Sequence, residues 1–144
     1  MVRISKLTDY GVMIMAFMAG HPAKLFQARE IAQRTTVAQP TVAKLLKKLT
    51  KNHLLISQRG THGGYHLACD PEKISVADLV DALEGPIAIT ECSLGHDYCP
   101  TATHCSVKSP WLRINHTITN ALQAIKLSDL SSTPPLTEVM HGKL

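Results

Sequence analysis

The stretch Glu91–Cys105 reads ECSLGHDYCPTATHC and holds three of the chain's four cysteines, Cys92, Cys99 and Cys105. Thiolates are soft ligands suited to iron–sulfur clusters, zinc or Cu(I). The gaps of six and five residues lack the short-spaced cysteine pair usual in structural zinc sites. They let a loop wrap around something larger than one ion. An iron–sulfur cluster takes about four protein ligands, so one must come from outside these three. Cys69 is poorly placed for that role and reads as an ordinary buried or half-buried cysteine. His96, His104, Glu91 and Asp9 remain, although a lone loop histidine is more often a surface residue than a ligand. Enzymatic chemistry finds little support. There is no phosphate loop, no paired carboxylates with a plausible pocket, and no nucleophile–base constellation. His104 and Cys105 are adjacent in sequence, and adjacent side chains seldom face one another.

Several elements must position this loop. Ser5–Gly20 reads as a helix with Leu7, Tyr10, Ile14 and Met18 on one stripe and Met13, Met15 and Phe17 on the far side. A helix apolar nearly all round is buried on several sides. Gln27–Arg34 predicts a short second helix. Gln39-Pro40 opens a third, where proline suits the first turn, and Val42, Leu45, Leu46 and Leu49 form its apolar stripe. Lys44, Lys47, Lys48 and Lys51 lie off that stripe and face outward. In LLISQRGTHGGYHLA, Leu54–Ala68, two strand-like runs flank a glycine-rich turn, which predicts a hairpin. Ser75–Glu84 repeats the helical stripe, with Ser75 and Asp78 at capping-box positions. A longer helix follows Pro110, over Trp111–Leu127. Its residues Trp111, Ile114, Ile118, Ala121 and Ile125 make an a/d-like seam, and little chain remains to cover it within one subunit.

Charge is distributed unevenly. Lys24 to Arg59 carries eight Lys/Arg against one acid, whereas Gly60 to Cys105 carries seven acids against one base. The first segment suits a polyanion. Helix, turn, lysine-bearing helix and glycine-tipped hairpin together describe a winged helix-turn-helix, whose second helix enters the major groove by its N-terminal residues. Those residues are Gln39, Pro40, Thr41 and Lys44. Gln39 and Thr41 can reach base edges, while Lys44 and Lys48 suit phosphates or guanine. Arg59 at the hairpin tip suits a narrow minor groove. Arg29 is a weaker phosphate candidate.

At this point the chain resembles a known family. ISKLTDYG, SQRGTHGGYHLA, ADLVDALEGP, ALEGPIAITEC and the three-cysteine loop resemble, over nearly the whole chain, the bacterial winged-helix regulators that include IscR, NsrR and RirA. The wording is most similar to the branch regulating the SUF iron–sulfur assembly system. The resemblance implies a homodimer whose cluster, [2Fe–2S] or [4Fe–4S], is bound by Cys92, Cys99 and Cys105 and controls DNA binding. Two departures stand out. IscR-like members have five residues in each gap, and the first gap here has six. They carry a histidine ligand where this chain has Lys108. LTDYG is similar to the NsrR-like start, and implies that Asp9, supplied by the partner subunit, is the fourth ligand ahead of His96 and His104.

The expected class is therefore mainly α with a small β-hairpin wing. A winged helix-turn-helix domain is expected over 1–86, a cluster-binding loop over 87–109, a dimerisation helix over 110–128 and a flexible tail over 129–144. Arg3 and Lys6 before an uncharged run superficially suggest a signal peptide. Asp9 interrupts that pattern, no cleavage site follows, and the run is too short to span a bilayer. A cytoplasmic protein without membrane contact is the expectation, where clustered cysteines serve metal or redox chemistry rather than disulfides. The expected function is a DNA-binding transcriptional regulator, in the repressing sense, of SUF genes acting on a pseudopalindromic operator. The rivals are a winged-helix regulator with a zinc or thiol-redox site, and a redox protein that does not bind DNA.

Overall fold

The first helix starts where Ser5 can cap it: the Ser5 Oγ accepts from the Thr8 N–H at 3.2 Å, and Asp9 in the first turn complements the helix dipole. In the computed structural model, which describes residues 3–131, this helix is α1 (Lys6–Ala19). Ile14, Met15 and Met18 are almost wholly buried in the core. Helix α2 (Ala28–Thr35) and helix α3 (Gln39–Lys51) follow, joined through Thr36 in a left-handed conformation. Val42, Leu45, Leu46 and Leu49 face inward, as the stripe predicts.

Strands β1 (Leu55–Gln58) and β2 (Gly64–Leu67) pair antiparallel, with Leu55 opposite Leu67 and Gln58 opposite Gly64. Gly60, at φ 113°, makes the turn. A contact that the sequence does not announce ties this wing down. Phe26 and Tyr65 exchange both backbone hydrogen bonds at 2.8 Å, so the residues before α2 form a short third edge. A Cβ on Gly64 would lie 2.7 Å from the Phe26 carbonyl oxygen, which is why glycine stands there.

Helix α4 (Val76–Glu84) has the expected capping box. The Asp78 N–H donates to Ser75 Oγ at 3.1 Å, and the Ser75 N–H to Asp78 Oδ2 at 2.8 Å. It packs closely on α1, where a Cβ on Gly11 would meet a Leu83 methyl at 2.4 Å. Gly85, at φ 101°, ends α4. Helix α5 (Lys108–Ala124) begins earlier than expected, with Pro110 inside its first turn. That position leaves no intrahelical bond unmade.

The end of α5 departs from expectation. The predicted helix does not run on to Leu127. Ile125 turns extended, and its carbonyl accepts from the Val76 N–H at 2.9 Å. A separate helix α6 (Leu127–Ser131) then packs on α1. Leu127 is fully buried, so residues 129–131 of the expected flexible tail belong to a packed helix. The remainder of that tail lies outside the described residues. Cys69, expected to be buried or half-buried, is exposed, because β2 has ended and the chain is passing to the Pro71–Lys73 turn. No helix among the described residues is long and apolar enough to cross a membrane.

Candidate nucleic-acid interface and cysteine loop

Gln39 and Pro40 are exposed at the start of α3, Thr41 is half-exposed, and Lys44 is exposed one turn on. Arg29 is exposed on α2 and Arg59 at the wing tip. Lys47, expected only to face outward, lines a cleft with Gln27, Gln58 and Arg59 between the wing and the helix pair. That cleft is lined by one cation from α3 and one from the wing.

Lys48, exposed like Lys44, donates from its Nζ to the Leu83 carbonyl at 2.6 Å, which ties α3 to the end of α4. Asn52 Nδ2 donates to the neighbouring Ala82 carbonyl at 3.2 Å. Helix α4 has no basic residue in its own last turn, so α3 supplies the charge and donors that its terminal carbonyls require. Glu84 closes the junction on the other side, its Oε1 accepting from the Ser5 N–H at 2.6 Å. Hydrogen bonds from Ser5 and Thr8, with the Lys48 charge beyond, hold the Glu84 carboxyl below the usual carboxylate range.

Beyond Gly85 the chain leads to the cysteines. Asn115 of α5 fixes this approach, accepting from the Ile89 N–H at 2.9 Å and donating to the Ile87 carbonyl at 3.0 Å. Cys92 lies in the 3₁₀ turn Glu91–Ser93, which packs on α5. Cys99 follows a second turn, His96–Tyr98, and Cys105 precedes α5. All three thiols are half-buried. The Thr90 hydroxyl lies 3.1 Å from Cys92 Sγ, and the Thr101 hydroxyl 3.4 Å from Cys99 Sγ. Glu91, His96 and His104 are exposed, as is Asp9 on α1.

The donor chemistry fits an iron–sulfur group: soft sulfur ligands on an irregular loop, with hydroxyls able to donate to thiolate sulfur. The geometry within one chain is open. Among the described residues, no three His, Cys, Asp or Glu side chains gather into a group able to hold a metal ion. Sequence reasoning missed Asn115, Thr90, Lys47 and Asn52. Only Thr90, beside Cys92, carried a local signal.

Helix α5 completes the site's frame. None of its residues is buried. Trp111, Leu112 and Ile114 are 38%, 39% and 44% exposed, and Ile118 is half-exposed. Among the described residues, the seam predicted from spacing is thus left uncovered.

Comparison with known proteins agrees with this architecture. The chain is 30% identical over 138 residues to the HTH-type transcriptional regulator IscR of Vibrio vulnificus, covering 93% of this chain and 82% of that protein. The solved structure of CymR, the global cysteine regulator of B. subtilis, superposes with a TM-score of 0.72 at 30% identity, covering 92% of this chain and 98% of that one. That of T. potens IscR superposes with a TM-score of 0.67 at 30% identity, over 99% and 92%. Residues 4–133 match the Rrf2 family, described as iron-dependent transcriptional regulators. The fold is therefore the winged-helix one expected, and the relatives are regulators rather than enzymes. This chain belongs to the Rrf2 family of DNA-binding transcriptional regulators.

Proposed function

We propose that the protein is a dimeric, cytoplasmic repressor of SUF iron–sulfur assembly genes, switched by an iron–sulfur cluster at Cys92, Cys99 and Cys105. The observation that carries this reading is the position of the three half-buried thiols. Their loop hangs between the end of α4, which is bonded to α3, and the exposed helix α5. When bound, the cluster supplies a redox- and iron-sensitive link between thiolates. Asp9 supplies the fourth ligand from the second subunit, with His96 and His104 as lesser candidates.

In this reading Gln39 and Thr41, set by Pro40 at the start of α3, meet base edges, Lys44 and Arg29 meet phosphates, and Arg59 enters a minor groove. Two-fold symmetry then gives a pseudopalindromic operator. The rival of a redox protein without DNA binding loses its ground with the family. The likeness to CymR keeps one rival in play, a zinc or direct thiol switch.

Anaerobic purification with visible absorption and iron and sulfide analysis separates these readings. A coloured protein with matching iron and sulfide is expected, and its spectrum distinguishes [2Fe–2S] from [4Fe–4S]. A colourless protein with stoichiometric zinc overturns the cluster. Footprinting of cluster-loaded and cluster-free protein tests the switch, which equal affinities would remove.

A further inference from the structure

The end of α4 is held from two sides. Lys48 and Asn52 of α3 bond its last carbonyls, Leu83 and Ala82. Beyond Gly85, Asn115 of α5 bonds Ile87 and Ile89, immediately before Thr90 and Cys92. The covalent path from the cysteine loop to α3 runs back through α4 and the wing. The path through hydrogen bonds is far shorter: Cys92, the 87–89 segment, the α4 terminus, then Lys48. A terminus without its own cationic side chain depends on its neighbour for satisfaction of its carbonyls. Movement of that terminus therefore either drags α3 or breaks two bonds.

We propose that Lys48 and Asn52 form the joint through which the state of the cysteine loop reaches the DNA-reading helix. They act as positioning residues, with Lys48 not itself a DNA contact. This rests on the switch reading above. In one cysteine-loop state the joint holds α3 in register with its groove, and in the other the displaced α4 terminus tilts it. Exposed lysines on a reading helix ordinarily act on phosphates, and the 2.6 Å bond to a main-chain carbonyl sets Lys48 apart from Lys44 and Lys47.

The test uses full-length wild type, Lys48→Met and Asn52→Ala, each cluster-loaded and cluster-free. Binding is measured by anisotropy over a salt series on a duplex selected by the loaded wild type from a random-sequence pool. Wild type is expected to show different affinities in its two states. In either variant that ratio is expected to shrink roughly fivefold or more, the lower range of allosteric coupling, with the slope against salt unchanged. Uniform weakening of both states of Lys48→Met, with a salt slope reduced by about one, would make Lys48 a phosphate contact and overturn the joint. A wild-type ratio retained in both variants overturns it also. Equal wild-type affinities would instead remove the switch itself. Should Lys48→Met fail to fold, the milder Asn52→Ala decides, since it deletes one neutral donor.

Discussion

At the scale of single residues, charge alone does not assign a role. Lys44 and Lys48 are one helical turn apart on α3, yet only Lys48 has a main-chain carbonyl within reach. Lys44→Ala is expected to weaken DNA binding about equally across sequences and to lower the salt slope by about one, read from titrations at several salt concentrations. Glu84 carries a pH dependence. Its carboxyl is held below the ordinary value by Ser5 and Thr8. Its contribution to stability is thus present above the unfolded carboxylate pKa and is lost as pH falls through the lower folded value. Glu84→Gln should lower stability at neutral pH by under ~1 kcal/mol, because the group is solvent-screened. The gap to wild type should close on acidification, as followed by denaturant melts. Lys48 was legible as a polar-face residue of α3. Its partner was not, because only tertiary packing brings the end of α4 to it.

At the scale of elements, local signals predicted what local physics controls. The stripe of α3 and the capping box of α4 follow from spacing and side-chain chemistry, and both occur. Ser75→Ala should cost about 1 kcal/mol, the usual effect of a lost N-cap, measurable by thermal melting. The break between α5 and α6 was not legible, since Ile125 leaves the helix to meet Val76, a partner distant in sequence. Leu127, read as the last residue of a long helix, instead fills the core. Leu127→Ala should cost about 2–5 kcal/mol, as for other fully buried leucines. The same substitution at exposed Leu112 should cost far less. The cysteine loop shows the converse. Its cysteines and their spacing were plain in the sequence, but Asn115, which fixes the approach to it, sits on another element with no motif to mark it.

At the scale of the whole molecule, the unburied apolar seam of α5 is the surface through which the proposed dimer would form. Ile114→Glu combined with Ile118→Glu is expected to shift the protein to monomer in sedimentation and to weaken operator binding, because one half-site alone remains engaged. Neither residue is buried in one chain, so the fold of each subunit should persist by circular dichroism. The wing obeys a different constraint. Its bonds to Phe26 fasten it to the stem of α2, so wing and reading helix share one frame. The distance along an operator between core and flanking contacts is then built into the protein and does not adapt to the DNA. Operators for this chain should tolerate changes in flanking sequence more readily than the insertion of a base pair between core and flank.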